Sequence, residues 1–123
     1  MKPLLVAPND WSLSEDLAQD FERSPDDWLN SVRLGAQRLP ESTSRRNKGQ
    51  TTGLAVGKVG GKLAEFGVEE GMILISLNGH PIPTKAELMN VGKRLYNQGV
   101  RVFQARILHY GREETLTYRA PDR

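Results

Sequence analysis

From Met72 to Leu77 the chain is almost continuously apolar (MILISL), and Asn78-Gly79 follows at once. A run of that length, apolar at successive positions, reads as a strand covered on both faces. Asn-Gly is the pair that best tolerates the two positive φ values of a type I′ turn. Pro81 ends whatever strand remains after the turn. Upstream, Gly53–Val59 alternates, with Leu54, Val56 and Val59 apolar, the period of a half-buried strand. Lys62–Phe66 suits one or two helical turns, with Leu63 and Phe66 three apart on one face. Gly67 is placed as a left-handed helix stop, and Glu69-Glu70-Gly71 reads as a turn. Strand, short helix, buried strand and tight turn therefore succeed one another within thirty residues, and the rest of the chain has to pack around them.

The flanks supply helices and strands of their own. Met1–Pro8 holds a small apolar run between prolines, consistent with an edge strand or a disordered leader. Ser12 or Ser14 can cap a helix to about Arg23, with Leu13, Leu17 and Phe21 four apart and acidic residues in the first turn. Ser24-Pro25-Asp26-Asp27 reads as a second helix start, with Trp28 and Leu29 as its apolar face. Val32–Leu39 is expected to be a strand entered through a glycine turn, and Pro40–Thr52, polar and without periodicity, a loop. Thr84-x-x-Glu87 is a capping box that opens a helix to about Tyr96. Leu88, Val91 and Leu95 form its buried stripe, and Lys85, Met89, Gly92 and Tyr96 an adjacent one. Val100–Tyr110 and Glu113–Arg119 read as a hairpin joined at Gly111-Arg112.

Charge divides the chain. It holds 17 Lys and Arg and 15 Asp and Glu. Up to Ser31 there are two basic and seven acidic residues, a net of −5, which leaves 15 basic and 8 acidic for the remainder, a net of +7. Two oppositely charged solvated faces account for this. A sharper account has the acidic segment packing against the basic part, or mimicking a ligand there. No aromatic-interleaved basic stripe accompanies the charge, so a nucleic-acid partner is not expected. There is no cysteine, hence no disulfide, thiolate nucleophile or Cys-based zinc site. His80 and His109 are not at metal-ligand spacing. No serine lies in a Gly-x-Ser-x-Gly or Gly-Asn-Ser-Gly-Gly setting, and Gly60-Gly61-Lys62 lacks the form of a phosphate-binding loop. The chain is expected to be non-catalytic and to use no cofactor. No run approaches membrane-spanning length, and Leu4–Ala7 is too short, with too little basic flank, for a signal peptide.

Gly53, Val56, Val59, Phe66-Gly67-Val68, Gly71, Ile73, Leu77-Asn78-Gly79 and Pro81-Ile82 together resemble the signature of PDZ domains in their bacterial, HtrA-type form. Phe66 stands where that family usually has alanine. The resemblance extends from about Arg33 to Leu116. It implies a mainly β fold with two helices, a partly open barrel or sandwich of five or six strands. On this reading residues 1–31 are a helical extension, 32–120 the PDZ domain and 121–123 a tail. It also implies a peptide site. Arg33-Leu34-Gly35-Ala36 occupies the place of the carboxylate-binding loop, whose glycine lets consecutive amides converge on an anion. Gln37, Arg38 and Leu39 then lie on the strand along which a ligand pairs. Lys85, Met89, Gly92 and Tyr96 fall on the helix that forms the opposite wall. Ala36 is smaller than the residue usual there, which implies a shallow terminal pocket. Met89 suits either a groove wall or ordinary core filling.

The implied function is recognition of peptide or protein C-termini and unfolded protein segments by strand addition. The implied parent is a Do-like, HtrA-type serine protease of the bacterial periplasm or cell envelope, its catalytic domain outside this chain. Its protease domain or neighbouring protomers are further implied partners. Two alternatives stand beside it. One is a structural or assembly module whose groove is empty or filled by its own extension. The other is a PDZ module of a membrane-embedded metalloprotease, a carboxyl-terminal processing protease or a secretion-system component.

Overall fold

The structure, a computed structural model, describes residues 4–7, 10–24, 30, 32–60 and 67–121. The expected helix at Lys62–Phe66 and the helix start at Pro25–Leu29 lie outside them.

The elements in chain order are β1 (Leu4–Ala7), β2 (Asp10–Ser12), α1 (Glu15–Arg23), β3 (Val32–Arg38), α2 (Glu41–Arg46) and β4 (Thr52–Val59). They continue with β5 (Ile73–Leu77), β6 (His80–Pro81), α3 (Lys85–Asn97), β7 (Val102–His109) and β8 (Arg112–Arg119). Seven strands form one open sheet in the order β1-β2-β8-β7-β5-β4-β3, and β6 pairs with β5 off that path. The pairings are antiparallel except for β2 with β8, which is parallel. The fold is mainly β, as expected. It has more strands than the sequence suggested, because β1 and β2 add to the sheet beyond β8.

β5 is central and covered on both faces, as its sequence requires. Leu74 and Leu77 belong to the main cluster with Leu54, Val56, Ile82, Val91, Leu95, Ile107 and Leu116. Ile75, one residue on, belongs to a second cluster on the other face with Leu39 and Leu108. Ile75, Ile82 and Ile107 are fully buried, and burial of each contributes about 1.5–3 kcal/mol. Asn78 and Gly79 make the tight turn with φ of 49° and 82°. The Asn78 side chain locks it: Oδ1 accepts from Gln104 N at 2.6 Å, and Nδ2 donates to Val102 O at 3.1 Å.

Local signals hold at the two longer helices. Ser14, rather than Ser12, caps α1, its Oγ accepting from Leu17 N at 3.2 Å. Thr84 caps α3, its Oγ1 accepting from Glu87 N at 3.1 Å. Gly99, with φ of 93°, follows the end of α3. The β7–β8 turn is Tyr110-Gly111, one residue earlier than expected, with φ of 52° and 77°.

Two expectations are corrected. Pro40–Thr52 is not all loop, since Glu41–Arg46 is helical. Without an apolar stripe, α2 buries Thr43 and is held by links to distant strands, an exposed i,i+4 pair of Glu41 with Arg45 at 2.7 Å adding little. Arg46 and Asn47 both donate to Glu113 on β8, and Gln50 Nε2 donates to Ile75 O at 2.8 Å. Arg33–Ala36 is likewise not a loop. It lies inside β3, with Leu34 opposite Val56 and Gly35 opposite Ala55, and Gly35 is not in the left-handed region. The irregularity falls between Val32 and Leu34, where the extra residue belongs to β4.

Candidate functional site

β3 is an outermost strand: among the described residues nothing pairs with its outer edge. Val32 is buried and Leu34 half-buried, while Arg33 and Gly35–Arg38 are exposed. An edge strand with an exposed row of amides and carbonyls is a template for a further strand. Among the described residues a Cβ on Gly35 would meet nothing within 4 Å, so they give no steric reason for glycine there. The space it leaves lies along the exposed strand.

Beneath α3 lies a half-open cavity of about 220 Å³. Leu34 of β3 and Leu88, Met89, Gly92, Lys93 and Tyr96 of α3 line it, and the sheet contributes Leu74, Leu77, Phe103, Ala105, Leu116 and Tyr118. A large apolar side chain seated there would be taken out of water, a gain of about 1.5–3 kcal/mol. Tyr96 is steadied by Arg101, whose guanidinium lies 4.1 Å from the ring centroid and donates to Tyr96 O and Val100 O at 2.9 Å each. Tyr118 stacks on Trp11 at 5.3 Å, and burial pushes its phenol well above the ordinary range.

The expected site residues do not all come together. Leu34, Met89, Gly92 and Tyr96 meet around the cavity. Lys85 lies at the start of the helix, where its Nζ donates to Asn30 Oδ1 at 2.6 Å. Arg33 lines a shallow depression with Asn30, Lys58 and Gly60, while Gly35, Ala36, Gln37 and Arg38 lie exposed along the strand. Leu39 is core, packed with Ile75 and Leu108. Leu88 and Lys93 also line the cavity and were not expected there. Lys93 is four residues beyond Met89, so helical spacing places it beside the same stripe.

The N-terminal segment closes in from the other side. Leu13, Ala18 and Phe21 line the same cavity. Trp11 fixes that segment, for a Cβ on Gly67 would come within 2.4 Å of its ring. An ion pair of Asp10 with Arg119, at 3.0 Å, joins β2 to β8.

No family model and no curated protein matches this sequence. In three dimensions the chain is similar to the PDZ domain of EpsC from Vibrio cholerae, residues 204–305, with a TM-score of 0.53. The fold is a PDZ fold. The alignment covers 85% of this chain and 91% of the other at 16% identity, so the likeness is one of fold. A shorter piece of the same domain, residues 219–305, aligns over 74% of this chain and 95% of its own length, with 15% identity and a TM-score of 0.45. In this PDZ fold the exposed edge of β3 and the stripe of α3 border one cavity, which makes the space between them the candidate ligand groove.

Proposed function

We propose that this chain is a non-catalytic peptide-binding module. A peptide C-terminus or an extended segment adds as a strand to the outer edge of β3, and one apolar side chain enters the cavity under α3. The observation that carries this reading is the junction of an unpaired edge strand with an apolar cavity. Main-chain bonding to β3 gives affinity with little demand on sequence, and Leu34, Leu88, Met89 and Tyr96 select the apolar anchor. Because Arg33–Ala36 is strand, a terminal carboxylate would be met by the amides at the start of β3 together with Arg33 and Lys58. The motif around Gly67, Gly71 and Asn78-Gly79 supports a finer reading, a module of a bacterial HtrA-type protease at the cell envelope.

Fluorescence polarisation of the full chain against peptides with free and amidated C-termini tests this. Micromolar binding is expected, weakened at least tenfold by Met89→Asp in the cavity wall, and weakened by amidation where the carboxylate is read. Undiminished binding by the Met89→Asp protein would overturn the site.

A second reading has one specific observation behind it. Leu13, Ala18 and Phe21 already line the cavity, as in an assembly module whose groove is covered by its own extension. Absence of peptide binding together with self-association in sedimentation would favour it.

A further inference from the structure

Helix α1 reaches the cavity, and its net charge is opposite to that of β3 and α3, whose Lys93 lines the cavity. α1 carries Glu15, Asp16, Asp20 and Glu22 against Arg23, a net of −3. β3 and α3 together carry Arg33, Arg38, Lys85, Lys93 and Arg94 against Glu87, a net of +4. The helix buries Leu17 and Ala18, and it brings Phe21 to the cavity while leaving that ring 36% exposed. Asn30, two residues before β3, is also engaged with the groove helix, through the bond from Lys85.

We infer that the groove is selective for acidic segments bearing an aromatic anchor, and that Phe21 of the acidic helix α1 is such an anchor supplied by the chain itself. An incoming partner must displace it. The inference rests on the peptide-binding reading above and names its ligand class. Its physical basis is a sum of weak terms. Exposed ion pairs are individually small and screened by salt, so several cations along both walls discriminate only together. The anchor provides the apolar burial that makes the complex hold. Phe21 is a replaceable anchor because its seat is incomplete: a third of its surface is already in water, and moving it opens no sealed core.

The test uses two labelled decapeptides with free C-termini. Both end in Phe, one with Asp or Glu at four preceding positions and one with Lys at those positions. They are titrated against the full chain, its Phe21→Ala and Asp16→Lys variants, and a Phe21→Ala/Arg38→Glu/Lys93→Glu variant, all checked for folding by circular dichroism. The acidic peptide is expected to bind Phe21→Ala at least tenfold more tightly than the unmodified chain. Asp16→Lys, an exposed change that leaves the core intact, should give a gain of several-fold. At low salt the acidic peptide should be preferred at least tenfold, the preference should shrink as salt rises, and the two charge reversals should invert it. Equal binding of both peptides would overturn the charge selectivity while leaving peptide recognition standing. Absence of any gain in both Phe21→Ala and Asp16→Lys would overturn the role of α1. Binding of neither peptide by any variant would remove the peptide-receptor reading and this inference with it.

Discussion

β1 and β3 are the outermost strands of one sheet, and they differ in length, in their flanks and in what lies beside them. β1 has four residues and is bounded in sequence by Pro3 and Pro8, neither of which can donate to a ladder. Short strands and edge prolines are devices that discourage further pairing. Behind β1, Trp11 is 8% exposed and stacked on Tyr118. β3 has seven residues, no proline within them, and a cavity at its side. One end of the sheet is a short strand backed by Trp11 and Tyr118, whereas at the other, among the described residues, no strand pairs with the outer edge of β3. An edge kept open carries a risk of aggregation, so its retention beside an apolar cavity is itself a reason to read it as a binding edge.

The contrast can be broken first at the packed end. Trp11→Ala is expected to destabilise the chain by about 3–5 kcal/mol, as for other buried large aromatics, measured by urea unfolding. A loss below about 1 kcal/mol would mean that the N-terminal strands are an appendage. Gly67→Ala should cost about 2–3 kcal/mol, because φ of +73° strains any side chain and the new methyl would strike the Trp11 ring.

Glu113 sharpens the comparison at an ionic link between β8, near the packed end, and α2, which follows β3. Partial burial pushes its pKa up, but hydrogen bonds from Asn47 and Arg46 and the charges of Arg46 and Arg106 outweigh this and hold it below its ordinary value of 4.5. A folded-state pKa below the unfolded one stabilises the fold above that ordinary value, and the gain is lost as pH falls through the lowered one. Glu113→Gln should cost about 1 kcal/mol at pH 7, since the arginine partners are half in water. The difference from the unmodified chain should vanish in acid, and a pH-independent difference would argue against an ionic origin.

The smallest effect on stability is expected at the open end. Gly35→Val should change stability by no more than about 0.5 kcal/mol, because the position is roomy and not left-handed. It should nevertheless reduce peptide binding strongly. A stable variant that binds as before would separate β3 from the ligand. Gly67 and Gly35 thus form a matched pair, one glycine required by the Trp11 ring beside it and the other by none of the described residues.

What was legible in the sequence follows the range of the forces. The Asn78-Gly79 turn, the Thr84 cap and the stripe of α3 are local, and each formed where its residues indicated. β2 could not be read, since three residues pair with Thr117, Tyr118 and Arg119 a hundred positions away. α2 escaped for a related reason: it has no apolar period, and bonds to the distant Glu113 and Ile75 hold it and the turn after it. In the site, helical spacing marked Met89, Gly92 and Tyr96. The strand expected at Val32–Leu39 formed as β3, but the resemblance put a curled loop at Arg33–Ala36, where the ladder with β4 imposes a strand. The cavity itself was not legible, because it depends on how closely α1 and α3 approach the sheet.

The parallel pairing of β2 with β8 has a mechanical consequence. Leu4 lies opposite Ser12, and Ser12 opposite Arg119, so the outer ends of the first and last strands lie at the same end of the sheet. Tension between them would unzip β1 from β2 one residue at a time, at low force. Once β1 is free, the pull passes to Asp10, at the far end of β2 from Arg119, and loads the β2–β8 contact in shear. There every bond must yield together, with the Asp10–Arg119 ion pair and the Trp11–Tyr118 stack alongside. A single-molecule trace should therefore show a soft first extension and then a sharper rupture, and a single smooth release would contradict that order.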